Sequence, residues 1–231
     1  MNILEDQLEY YRARAAEYDQ WFYRQGRYDR GAELNQLWHE EAALVRQALR
    51  AFNPAGSVLE LACGTGIWTE QLALYADTIL AVDAAAEMLE INRQKNAGKN
   101  IDYAQANLFE WEPPRKFDAI FFGFWLSHVP VEKFGSFWRT VGSALVDGGR
   151  VFFLDSLPSP DSRARNHEIA DAAATRQVRY LNDGRKFEII KRYYVPQDLT
   201  AQLEELGFDA RIETTGEFFL YGVVTKQSPA A

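Results

Sequence analysis

One cysteine stands among the 231 residues, at position 63, so no intrachain disulfide can form and nothing points to an oxidising compartment. Cys63 reads as a small loop filler, with a reactive thiol as the other reading. Histidine is scarce as well: the whole set is His39, His128 and His167, and no His, Cys or Asp cluster has metal-ligand spacing. No metal is expected. No apolar run approaches the length needed to span a bilayer, and charges recur from Glu5 onward, where a signal core would have to be apolar. A cytoplasmic location is the expectation. Basic residues are in deficit. The formal net charge of −8 argues against a nucleic-acid or anionic-membrane partner, unless a local basic patch overrides it. Repeats and low-complexity tracts are absent, and only the tail from about Lys226 to Ala231 reads as disordered.

What is present is the pattern of a globular α/β chain. Hydrophobic residues make up 47% and charged residues 25%, which excludes a disordered chain, and the length suffices for one large domain with a filled core. Residues 5–24 are helical in pattern and rich in aromatics, and a second helix over 32–51 stops at Asn53-Pro54. Strands are predicted at 57–61, 78–82, 101–105, 117–124 and 150–154, with helices at about 67–76, 85–97 and 131–145 between them. Residues 162–180 read as a polar helix or mobile lid, 186–194 as a strand, 196–206 as a helix, and 210–214 with 218–225 as a hairpin. Alternating strands and helices imply a parallel sheet with right-handed crossovers.

The chemistry begins at Glu60-Leu61-Ala62-Cys63-Gly64-Thr65-Gly66, where an apolar strand meets an acid and a two-glycine turn into a helix. Gly64 and Gly66 let backbone approach a ligand, and the helix behind offers unpaired N–H groups. Such a loop cradles a nucleotide-like cofactor. Glu60 would repel a phosphate but can bind an ammonium group. No Lys-Ser or Lys-Thr follows, which excludes a Walker loop, and Trp68 and Thr69 replace the last glycine of a dinucleotide fingerprint. A second strand ends in Asp83, 19 residues beyond Gly64, where an acid is placed to accept both ribose hydroxyls.

These residues resemble the first motif of class I S-adenosylmethionine-dependent methyltransferases of small-molecule type, and the resemblance runs from about residue 50 to the end. It implies a Rossmann-like, seven-stranded, mostly parallel sheet with a C-terminal antiparallel hairpin and an N-terminal helical cap. The cap is residues 1–52, part of the same domain; the core is 53–226, with a lid insertion at about 156–195. The cofactor implied is S-adenosyl-L-methionine. By the same resemblance Glu60 contacts its ammonium, Ala62, Gly64 and Gly66 pass beneath it, and Asp83 takes the ribose. Met88 packs on the adenine, Asn107 hydrogen-bonds it with Leu108 as the apolar residue that follows in the cofactor site, and Phe124 lines the methionine moiety. For Met88 a plain core role is the alternative, and for Asn107 a turn role. Tyr11 and Arg14 share a helical face with Tyr18 and could close over the cofactor carboxylate, or simply pack on the core.

Methyl acceptors dock after the fourth strand in this family, which brings in Trp125-Leu126-Ser127-His128. His128 is the candidate general base, its ordinary pKa being near neutral, with a structural histidine as the alternative. The acceptor walls are expected to be Tyr10, Tyr18, Trp21, Trp125 and His128, with Asp155 at the end of strand five and residues 156–180. Arg163, Arg165, Arg176 and Arg179 could clamp an acidic acceptor, or form a solvated face. The expected activity is methyl transfer to a small organic acceptor, O-methylation favoured. C-methylation of a quinone- or lipid-like molecule and cofactor binding without transfer stand as alternatives. Acceptor identity and oligomeric state are not written in the sequence.

Overall fold

The computed structural model describes residues 2–167 and 175–227. The chain opens with α1 (Ile3–Arg14), α2 (Tyr18–Phe22) and α3 (Ala32–Phe52). It continues through β1 (Ser57–Leu61), α4 (Ile67–Leu72), β2 (Thr78–Asp83), α5 (Ala86–Lys95) and β3 (Ile101–Gln105). Then come β4 (Phe117–Gly123), α6 (Val131–Ser143), β5 (Leu145–Ser156), β6 (Arg176–Tyr180) and β7 (Lys186–Ile190). The last elements are α7 (Pro196–Glu205), β8 (Phe208–Thr214) and β9 (Phe219–Lys226).

Seven strands form one sheet in the order β3-β2-β1-β4-β5-β9-β8. The first five are parallel, and β9 and β8 close the edge antiparallel. β1 and β4 lie side by side at the centre, and their order switches direction there, so their carboxyl ends open the crevice where α/β sheets hold ligands. The apolar run of β4 follows from cover on both faces. Phe117, Ile120 and Phe122 enter the layer built with Phe134, Trp138 and Leu203 of α6 and α7. Ala119 and Phe121 enter the opposite layer with Trp38, Val45 and Leu49 of α3. On α3 the buried residues Trp38, Ala42, Val45, Leu49 and Phe52 recur every three or four positions, one stripe of a helix.

Three expectations need correction. The N-terminal aromatic stretch is not one helix: Ala15–Glu17 is a 3-10 turn that separates α1 from α2. Glu17 holds the break, pairing with Arg27 at 2.9 Å and accepting from the Asn182 N–H at 3.0 Å. Residues 162–180 are not a helix where described. Arg176–Tyr180 is β6, paired antiparallel with β7 in a separate two-stranded sheet, while 168–174 and the tail residues 228–231 lie outside the described residues. The expected strand over 186–194 ends at Ile190. No helix among the described residues is long and apolar enough to cross a membrane.

Candidate active site

The turn after β1 is held by close backbone contacts. Ala62 and Gly64 both take φ of +52°, and Gly66 takes +87°. A left-handed alanine is strained, which marks this turn as a site rather than a plain connection. Asp83, ending β2, accepts from the Gly64 N–H and the Ala85 N–H, each at 2.9 Å. A cavity of about 310 Å3 opens above, lined by Ala62, Gly64, Asp83, Met88, Asn107 and Leu108 among others. Its size lies at the low end of the roughly 300–1,000 Å3 typical of small-molecule pockets. A Cβ on Gly64 would meet no other atom within 4 Å, so a side chain there would project into this space. The site therefore fits the implied cofactor: a bare backbone floor, a carboxylate, Asp83, that could accept ribose hydroxyls, and apolar walls that could take a base.

Gly66 is required for a second reason. Its Cβ would lie 2.5 Å from Asn92 Oδ1. Asn92 and Asn96 of α5 support the loop from behind: Asn96 donates to the Gly66 carbonyl at 3.3 Å, and Asn92 donates to Thr69 Oγ1 at 2.8 Å. Thr69 in turn donates to the Glu60 carboxylate at 2.6 Å. Gly66→Ala is expected to cost about 1–2 kcal/mol from the left-handed backbone alone, before the clash with Asn92. Urea unfolding checks this, and a midpoint equal to wild type would show that the loop relaxes freely.

Glu60 is fully buried, and burial pushes its carboxyl up to about 8; the Thr69 hydrogen bond pulls it down and the Asp83 charge pushes it further up. It faces a small annex that shares Ala62, Gly64, Gly123 and Phe124 with the main cavity. Asp83 is also raised by burial, against the pull of its backbone N–H donors.

Helix α1 roofs the main cavity through Leu4, Leu8 and Tyr11. Asn2 and Glu5 form a reciprocal cap at its start. Gln7 pins it, donating to the His128 carbonyl at 3.3 Å and accepting from the Ile190 N–H at 3.0 Å.

A second cavity, of about 60 Å3, adjoins the first and is built of a different chemistry. Arg14, Arg163, Arg179 and Lys191 line it together with His128, His167 and several tyrosines, and its lining holds no Asp or Glu. All four cations are buried. Lys191 is held by Asp155 at 3.1 Å and by Ser127 Oγ at 2.8 Å. The Arg163 Nε and Nη1 and the His167 Nδ1 have no hydrogen-bond partner among the described residues.

The sequence candidates distribute as follows. Ala62, Gly64, Asp83, Met88, Asn107 and Leu108 line the main cavity, as do Tyr11 and Phe124. Glu60 faces the annex, and Gly66 lies under the loop against α5. Arg14 does not reach the main cavity; three residues past Tyr11 it sits about 4.5 Å further along the helix and lines the second one. There its guanidinium lies over the Tyr18 ring at 4.8 Å and donates to Tyr28 Oη at 3.2 Å. Tyr18 and Trp21 also line the second cavity, whereas Trp125 lines the first. Asp155 lines neither of these cavities nor the annex: it is spent on Lys191 and on the Ser127 and Ser156 N–H groups at 2.8 and 2.7 Å. His128 lies at the junction of the two cavities, with Nδ1 2.6 Å from the Ile190 carbonyl and Nε2 2.8 Å from Tyr11 Oη. Burial first, then the Lys191 charge, push its pKa down to about 3. Arg165 and Arg176 lie at the surface, on the Gly26 carbonyl and Glu188 respectively. Lys191, Tyr28 and Tyr193 are site residues that the sequence did not single out.

Fold and site together define a Rossmann-like enzyme that holds a nucleoside cofactor beside a compact polar pocket. A methyltransferase-domain family profile matches residues 58–149. A structure of DhpI in complex with SAH superposes with a TM-score of 0.80 at 36% identity, covering 99% of this chain and 98% of DhpI. DhpI with SAM and HEP gives 0.81, again at 36% identity, over 96% and 97%. The Xanthomonas euvesicatoria ubiquinone biosynthesis O-methyltransferase is 27% identical over 202 residues, 80% of this chain and 81% of that protein. The chain belongs to the S-adenosylmethionine-dependent methyltransferases.

Proposed function

We propose that this methyltransferase methylates an oxygen of a small acceptor carrying more than one negative charge. The observation that carries the reading is the second cavity, with four buried cations and no carboxylate in its lining. Buried cations are costly unless paired. Among the described residues only Lys191 of the four has an ion-pair partner. An anion with several oxygens would supply the missing charge and accept from the unpartnered Arg163 N–H groups. At about 60 Å3 the cavity holds the equivalent of roughly four to six waters at ~10–15 Å3 each, which suits a compact acceptor.

His128 fits this reading better than the role of general base. Both of its nitrogens are engaged, and with a pKa pushed down to about 3 the ring is neutral at neutral pH, carries a single hydrogen and takes up a second proton poorly. An oxyanion needs no base, because its nucleophilic oxygen is already deprotonated. Bound S-adenosylmethionine supplies an activated methyl group: its carbon–sulfur bond breaks as a carbon–oxygen bond forms, the electron pair staying on sulfur. The protein's part is to orient the anion and exclude water. Residues 1–52 act as a cap in this reading, contributing Tyr11, Arg14, Tyr18 and Trp21 to the walls. DhpI has been captured with SAM and HEP together, so a relative at 36% identity holds the cofactor and a second molecule at once.

Labelled S-adenosylmethionine offered with a panel of small organic dianions, monoanions and neutral phenols or quinols tests the proposal. Transfer to the dianions alone supports it, and transfer to neutral acceptors alone overturns it. Inorganic phosphate should bind the protein saturated with S-adenosylhomocysteine, and Arg179→Gln or Arg163→Gln should weaken that binding about tenfold, the loss of one charged hydrogen-bond donor.

A further inference from the structure

Tyr11, Tyr18, Phe124 and His128 line both cavities and so form the wall between them. Whatever passes from one cavity to the other passes this wall. Its polarity is set by one hydrogen-bond chain. His128 Nδ1 lies 2.6 Å from the Ile190 carbonyl oxygen, which can only accept, so Nδ1 carries the hydrogen. The ring is neutral, which leaves Nε2 bare. Nε2 lies 2.8 Å from Tyr11 Oη, so the Tyr11 hydroxyl gives its one hydrogen to the histidine. The Tyr11 oxygen therefore turns lone pairs, and no hydrogen, toward the cavities. Burial keeps the phenol un-ionised, raising Tyr11 well above its ordinary value. The result is a fixed point of partial negative charge beside a pocket whose charged lining residues are Arg14, Arg163, Arg179 and Lys191.

We propose that the Tyr11 oxygen, oriented by His128, is the contact that receives the positively charged sulfonium and its methyl group where the two cavities meet. His128 is then a positioning residue acting through Tyr11. The proposal rests on methyl transfer across this wall but not on the identity of the acceptor. A lone pair stabilises a neighbouring cation, and C–H groups polarised by that cation donate weak hydrogen bonds. A free hydroxyl could turn its hydrogen toward the sulfonium and oppose it; the bond to Nε2 prevents that turn. S-adenosylhomocysteine has neither the charge nor the methyl group. The contact must therefore show as a preference for S-adenosylmethionine over S-adenosylhomocysteine.

Titration calorimetry without acceptor measures that preference in wild type, Tyr11→Phe, His128→Phe and the double variant. Tyr11→Phe is expected to weaken S-adenosylmethionine by about 3- to 10-fold, the scale of a weak or charge-assisted hydrogen bond, and to leave S-adenosylhomocysteine unchanged. His128→Phe should produce the same selective loss, and the double variant should lose no more than either single one. Equal weakening of both ligands would mark Tyr11 as packing only and overturn the proposal. An unchanged ratio in Tyr11→Phe overturns it too, whether or not the His128 variant folds. Because no acceptor is present, a failure of the anionic-acceptor reading appears only in the phosphate titration and the acceptor panel.

Discussion

Asp83→Ala is expected to weaken S-adenosylhomocysteine binding by about 30- to 150-fold, the equivalent of losing a buried charged hydrogen-bond acceptor at ~2–3 kcal/mol. Two effects add. The cavity loses the carboxylate expected to accept the ribose hydroxyls, and the Gly64 and Ala85 N–H groups lose the oxygens that fix the turn, each now at 2.9 Å. Asp83→Asn separates them, since its amide oxygen can still accept one of the two N–H groups. It should bind more tightly than the alanine variant and more weakly than wild type. Calorimetry gives all three values. Asparagine at wild-type affinity would show that the carboxylate charge does not serve the cofactor, and alanine within a few-fold of wild type would remove Asp83 from the site.

The parts legible in the sequence are those where residue type and backbone demand coincide. The turn over Gly64 and Gly66 needs positive φ, which only glycine adopts without strain, so it shows in the letters. The strand Phe117–Gly123 is covered on both faces from Ala119 onward and is apolar there. The acid ending β2 stands where the sheet's carboxyl edge must place it. By contrast, Ala62 and Phe124 also have positive φ, +52° and +56°, and nothing in their residue types announces it.

The second cavity was the least legible part. β6 alternates inward Gln177 and Arg179 with outward Arg176, so its buried face is as polar as a solvated one and its period carries no hydrophobic signal. Lys191 follows β7 by one residue and reads as a surface lysine until the fold brings Asp155 and Ser127 to it. Asp155, at the predicted strand end, is in turn consumed by that lysine, so its role passes one residue along the chain of contacts. Asn92 and Asn96 look like the outer face of a helix, yet they buttress the loop through Thr69 and Gly66. Pairings of polar side chains across distant segments leave no local pattern.

Cofactor binding at pH 7 is expected to release close to one proton from Glu60. With its carboxyl pushed up to about 8 by burial, Glu60 is roughly nine-tenths protonated at that pH. An ammonium group brought against it requires the carboxylate, so the proton must leave. Calorimetry of S-adenosylhomocysteine binding in buffers of different ionisation enthalpy counts it. Affinity should climb by up to about tenfold per pH unit between pH 6 and 8, and the release should fade as pH passes 8. The same group sets a stability slope in the free protein. Its folded pKa of about 8 lies above the unfolded value of 4.5, so its contribution is fully present below pH 4.5 and is lost as pH rises through 8. Asp83, raised in the same direction, adds to that slope. Glu60→Gln, neutral at every pH, should therefore match wild type in urea midpoint near pH 4.5 and exceed it near pH 8.5, while binding the cofactor more weakly and releasing no proton from this position. Wild-type binding that releases no proton at pH 7 would mean that Glu60 keeps its proton beside the cofactor. The Thr69 and Asn92 chain behind it would then serve only to hold the loop.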